Sequence, residues 1–142
     1  MNDKAFVDSN ILIYAYDITA EAKHQTAKNL LQTLWKTRSG VLSVQVLQEV
    51  FVNVTRKIPK PLPMAKGREI VKDYRLWVSA PTSTDTILRA IDIQANQGFS
   101  FWDSLIIASA LEADCEKLYS EDMQHGQVIA RRLQIVNPFF NF

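Results

Sequence analysis

A chain of 142 residues is the usual size of one domain, and a 47% hydrophobic content is enough to bury an ordinary core, which excludes a disordered chain. One cysteine, Cys115, excludes an internal disulfide and any zinc site of paired cysteines, so a reducing cytoplasm is the expected setting. The net charge of +1 singles out no partner, MNDKAFVDSN lacks the apolar run of a signal peptide, and the stretch from Leu105 to Leu111 is far short of the ~20 apolar residues of a membrane span.

Lys4 to Asp8 (KAFVD) is a short apolar run ending in an acid and predicts a buried strand. A helix is expected to open at Ile11. From Glu21 to Trp35 apolar residues recur at Ala27, Leu30, Leu31 and Leu34, a helical period. Gly40 is expected to close that helix, and Val41 to Ser43 to form a second strand. Val44 to Val54 is rich in strand-forming residues, yet Ser43 is a good N-cap and a parallel strand needs a crossover, so a helix is expected.

PKPLP at Pro59 to Pro63 is the chain's only punctuation. Met64 to Trp77 predicts a basic helix with Ile70, Val71, Tyr74 and Trp77 on one side. A short strand at Val78 to Pro81 and a Thr84-capped helix through Ala95 follow. Phe101 to Ala113 reads as a strongly apolar helix, with strands at Lys117 to Tyr119 and Leu133 to Val136. Strands alternating with helices predict one α/β domain over residues 1–142, with a mostly parallel sheet whose ligands bind at the carboxyl ends of strands.

Two acids fall at such ends. Asp8 lies between apolar runs, where an acid is costly unless a charge or hydrogen bond answers it. It could cap the following helix, but Ser9 or Asn10 could do so equally, which leaves Asp8 available for chemistry. Asp122 follows the strand EKLY in SEDMQHG; its neighbour Glu121 could take its place, although alternation along an extended segment sends Ser120 and Asp122 in one direction. Asp103 shares a helical face with Ile106, Ile107 and Ala110, an acid on a core stripe, while Ser100 and Asp103 also fit a capping box. Glu49 is the one charge between Val44 and Val54, either on a functional face or on a polar edge beside Gln45 and Gln48.

Three or four carboxylates drawn together destabilise a fold unless a cation compensates, and oxygen-only donors select Mg²⁺ or Mn²⁺ over zinc. One or two such ions can activate water against a phosphodiester. Seven of the 16 basic residues, Arg56, Lys57, Lys60, Lys66, Arg68, Lys72 and Arg75, fall within 20 positions and could meet phosphate, or could form a solvated face laced with ion pairs. No Walker-type loop or GxGxxG is present. His24 and His125 lack metal-ligand spacing, and Cys115 reads as core filler.

Taken together, FVDSNILIYAYD, the isolated Glu49 after the second strand, SFWDSLIIASA and LYSEDMQHG resemble the PIN-domain family, and within it the VapC-type toxin ribonucleases of type II toxin–antitoxin systems. The resemblance runs from Ala5 to Phe139. It implies a three-layer α/β/α sandwich and Mg²⁺- or Mn²⁺-dependent cleavage of RNA. By position it makes Asp8, Glu49, Asp103 and Asp122 the metal-binding catalytic acids, with Asn10 and Ser120 orienting acids and water. It also implies a small protein antitoxin over the acidic groove and a homodimer. Two rivals remain: a non-catalytic RNA- or protein-binding module using the basic segment, and a receiver-like signalling domain, which lacks here the lysine such a domain needs after a late strand.

Overall fold

Three consecutive apolar residues, Ala5–Val7, form the central strand β1, and all three are buried. Because side chains alternate along a strand, this burial means that both faces of the sheet are covered. The structure, a computed structural model, describes residues 3–79 and 81–141. Strand β1 pairs in parallel with β2 (Gly40–Val41) on one side and with β3 (Lys117–Tyr119) on the other. Strand β3 pairs in parallel with β5 (Leu133–Val136), and β4 (Val128–Ile129) closes that edge antiparallel. The order is β2-β1-β3-β5-β4, with Phe6 opposite Val41 and Leu118.

From β1 the chain moves outward to β2, and from β3 it moves outward the other way to β5. The topology therefore switches between β1 and β3, and the carboxyl ends of these two strands flank a crevice of the kind where open α/β sheets bind ligands. Helix α1 (Ser9–Tyr16) packs on both α2 (Ala22–Thr37) and α3 (Val44–Val52), and α4 (Met64–Tyr74) packs on α3. Helices α5 (Thr84–Gln97) and α6 (Phe101–Glu112) form a second pair. This is the expected α/β fold around a mostly parallel sheet. Among the described residues no helix is long and apolar enough to cross a membrane.

Several local expectations are corrected. Helix α1 opens at Ser9 and not at Ile11, because Asp8 itself is the cap. Gly40 does not end α2; Arg38, in the left-handed conformation, does, and Gly40 begins β2. Ser43 caps α3 as expected, and the helix passes into a wider turn over Asn53–Lys57. Ser83, not Thr84, caps α5 through a reciprocal box with Thr86, and Gly98 at φ 77° ends it two residues beyond the expected stop. The strand expected at Val78 to Pro81 is a single parallel bridge from Val78 to Leu42; its Ala80 lies outside the described residues. Strand β4, two residues long, was not foreseen. Helix α6 has no core stripe: Ser104 to Ala108, Ala110 and Leu111 are all buried, because it lies between the main core and α5.

The glycine at position 40 has a packing reason. A Cβ there would meet Trp77 ring atoms at 2.4–2.6 Å. The Trp77 ring cannot move aside easily, since Trp35 and Tyr74 stand 4.8 and 4.9 Å from it, centroid to centroid. Gly40→Ala should lower stability by about 1–3 kcal/mol, the usual cost of overpacking. A reduced urea midpoint at unchanged m-value is the expected reading; an unchanged midpoint would contradict the packing argument.

Candidate active site

The site starts where β1 ends. The Asp8 backbone N–H donates to the Tyr119 carbonyl at 2.9 Å, tying the ends of β1 and β3 together. The side chain then turns inward: Oδ1 accepts from the Ser9 backbone N–H at 2.7 Å and Oδ2 from the Ser120 hydroxyl at 2.8 Å. Asp8 is only 4% exposed. Burial pushes its carboxyl up to about 6 against the pull of the Ser120 and Ser9 hydrogen bonds, and the charges of Asp122 and Asp103 push the same way.

Ser120, wholly buried, also accepts from the Asp122 backbone N–H at 3.2 Å, so one hydroxyl joins the two acids. Asp122 is exposed, and its Oδ2 accepts from Asn10 Nδ2 at 3.0 Å. The same amide nitrogen lies 3.5 Å from Asp8 Oδ2, while Asn10 Oδ1 accepts from the Glu121 backbone N–H at 3.2 Å. Glu121 turns the other way, accepting from the Tyr14 hydroxyl at 2.7 Å and from Lys23.

Glu49, half-buried in mid-α3, has its carboxyl raised by burial, then by Asp8; the Ser9 hydroxyl opposes this, and Asp103 and Asp122 add to it. Asp103 stands half-buried in the first turn of α6, where the Ser100 hydroxyl accepts from its backbone N–H at 3.1 Å. Burial raises its carboxyl first, Asp122 second, and the Ser100 side chain lowers it. All four sequence-proposed acids therefore share one electrostatic neighbourhood.

Among the described residues no three of them already stand at the spacing of a closed metal site. Mutual repulsion of like charges favours this open arrangement. As a donor set the four carboxylates fit a hard divalent cation such as Mg²⁺ or Mn²⁺. No softer ligand competes. His24 Nδ1 lies 2.9 Å from the Tyr14 carbonyl, and His125 Nδ1 accepts from the Asn137 backbone N–H. The Cys115 thiol is buried and pushed up to about 12 by that burial.

The basic residues of the segment are exposed and spread over three successive elements. Arg56 and Lys57 lie in the turn after α3; Lys66, Arg68 and Lys72 are on α4, and Arg75 follows it, all exposed. Lys66 pairs with Glu69 at 3.7 Å, whereas Arg68 lines a groove with Met64 and Val71 on another side of α4. Residues that the sequence reading missed are Ser9, Tyr14 and Lys23. The four-residue spacing of Asn10 and Tyr14, which puts them on one face of α1, was the available signal; nothing local marks Lys23.

A family model for the PIN domain matches residues 5–129. No curated protein matches the chain by sequence. Among solved structures, a toxin–antitoxin complex from Klebsiella pneumoniae superposes with a TM-score of 0.68 at 19% identity, over 96% of this chain and 98% of that one. VapC20 of Mycobacterium tuberculosis, described as a toxin that cleaves the sarcin–ricin loop, gives 0.62 at 20% identity over 84% and 90%. VapBC2 of Rickettsia felis, bound to a DNA fragment from its promoter, gives 0.59 at 14% identity over 94% and 98%. At these identities the likeness speaks for the fold.

Proposed function

The chain belongs to the PIN domain family, and from that premise we propose that it is a Mg²⁺- or Mn²⁺-dependent endoribonuclease, the toxin of a toxin–antitoxin pair. The observation that carries this reading is the buried Asp8 carboxyl, pushed up to about 6 at the β1–β3 crevice within the field of Asp103 and Asp122. Four carboxylates in one field would repel RNA phosphates unless a cation answered them, which favours metal chemistry over RNA binding alone.

Asp8, Glu49, Asp103 and Asp122 would hold the cation. When bound, a divalent ion of this kind supplies water activation and neutralises charge on the phosphodiester. The chain's own work is to orient the acids. Ser120 donates to the Asp8 carboxylate and accepts from the backbone N–H of Asp122, so one hydroxyl fixes the Asp8 side chain and the main chain that carries Asp122. Ser9 lends its backbone N–H to Asp8, and its side chain stands near enough to Glu49 to pull that carboxyl down. Asn10 restrains Asp122 from the other side. Arg56, Lys57, Lys66, Arg68, Lys72 and Arg75 are the cations available to RNA phosphates.

A protein partner has a surface to use. Val44, Leu47 and Phe51 of α3 face Met64 and Val71 of α4 across an apolar groove of about 480 Å³, with Arg68 at its edge and Met64 72% exposed. An apolar helix flanked by acids would suit it, as an antitoxin segment could supply. We place the protein in the cytoplasm, beside its RNA, and expect a homodimer.

The test is cleavage of RNA by the purified protein with Mg²⁺ or Mn²⁺, compared with Asp8→Asn and Asp103→Asn prepared identically. Metal-dependent cutting by the native chain alone is expected. Equal cutting by both variants would reject the assignment and point to a contaminating nuclease.

A further inference from the structure

Asp122 and Glu121 are adjacent carboxylates in the bend that follows β3, and they take different partners: Glu121 meets Tyr14 and Lys23, and Asp122 meets Asn10. Something must therefore decide which acid faces Asp8.

Glu121 is held by both oxygens: Oε1 accepts from the Tyr14 hydroxyl at 2.7 Å and Oε2 from Lys23. Tyr14 comes from α1 and Lys23 from α2, and the Lys23 ammonium sits over the Tyr14 and Phe139 rings at 5.1 and 5.6 Å. The Glu121 side chain is 23% exposed and that of Lys23 36%, so water partly screens the pair and its part here is to fix direction. Asn10, one turn before Tyr14, holds the Glu121 backbone N–H and the Asp122 carboxylate at the same time. Two elements thus hold Glu121 on the α1–α2 side, while Asn10 holds Asp122 on the Asp8 side.

Within this clamp Lys23 is the charge that answers Glu121. Tyr14 offers a neutral hydrogen bond, which fixes direction but leaves a full negative charge close to the other acids. Among the described residues Asp122 has no such cation; its partners are the Asn10 amide and, through its backbone, Ser120. We propose that Lys23 is a positioning residue for the acidic site: its ion pair with Glu121 keeps that carboxylate on the α1–α2 side and so presents Asp122, not Glu121, to a divalent cation. The inference rests on the metal-dependent reading above.

Mn²⁺ binding to the intact protein without RNA, followed by the electron paramagnetic resonance of the free ion, tests it directly. Lys23→Met should weaken Mn²⁺ binding about tenfold, the usual penalty for losing a residue that orients a ligand. Lys23→Arg should restore most of the affinity. Lys23→Met combined with Glu121→Gln should recover much of it too, because the released side chain no longer carries charge. In cleavage assays Lys23→Met should shift the Mn²⁺ requirement while leaving KM for RNA at saturating Mn²⁺ unchanged.

Native-like Mn²⁺ binding by Lys23→Met, with a raised KM for RNA, would overturn the proposal and make Lys23 a phosphate contact. A lowered melting temperature that neither Lys23→Arg nor the double variant repairs would overturn it in favour of simple packing. If the native chain itself binds no Mn²⁺, the metal reading falls first and this inference with it, an outcome distinct from the other two.

Discussion

Asp8→Asn should give a protein that is more stable than the native chain at neutral pH without metal, and unable to cut RNA. The carboxyl of Asp8 rises from 3.8 to about 6 on folding, chiefly through burial. The folded state therefore holds a proton more tightly than the unfolded state, so between about pH 4 and 6 it binds more protons. Stability then falls as pH rises through that window and levels off above it. Such a rise corresponds to about 3 kcal/mol at neutral pH. Asparagine keeps an acceptor for the Ser9 N–H and gains a donor toward Ser120, while carrying no charge.

Losing one ligand from a site whose cation contributes several kcal/mol to transition-state stabilisation should reduce cleavage by roughly 10³-fold or more. Urea unfolding of chelator-treated protein at pH 4.5 and 7.5, beside a cleavage assay, reads both effects. Native stability should decline between the two pH values, and that of the variant should decline less, by the part that the burial of Glu49 and Asp103 leaves. A variant less stable than native at pH 7.5 would mean that its hydrogen bonds outweigh its burial. Stability and activity moving in opposite directions is the pattern of a strained functional group.

How far these conclusions could be reached from the sequence differs from residue to residue. Helices α2, α3, α4 and α6 and strands β3 and β5 were readable because period and caps are local signals. The sheet order was not, since β2 and β4 are two residues long and their places depend on long-range pairing. Asp8 was singled out because Ser9 or Asn10 could cap α1 in its place; in the structure Asp8 is the cap, and its burial, invisible locally, is what makes it unusual. Asp103 was singled out from a core stripe that α6 does not have; its half-buried place at the helix start comes from the Ser100 cap. The choice between Glu121 and Asp122 stayed open because the partners that orient Glu121, Tyr14 and Lys23, lie 107 and 98 residues away in the chain.

Adding Mn²⁺ to the native protein should reverse the penalty that Asp8 carries. A cation bound by the folded state alone stabilises it by RT ln(1 + [L]/Kd), about 2.7 kcal/mol at a concentration one hundred times Kd. Protons compete for the same oxygens, and the groups that burial and mutual repulsion raise, Asp8, Glu49 and Asp103, are the ones that must ionise first. The gain should therefore be small at pH 5, where Asp8 is mostly protonated, and full at pH 7.5. Melting curves with and without Mn²⁺ at the two pH values should show an upward shift that grows with pH, opposite in sign to the pH trend of the metal-free protein. Asp8→Asn and Asp103→Asn should lose most of that shift, because each removes a charge on which the cation depends. A shift of equal size in both variants, or one independent of pH, would place Mn²⁺ elsewhere on the surface. The crevice between β1 and β3 would then have to be explained without it.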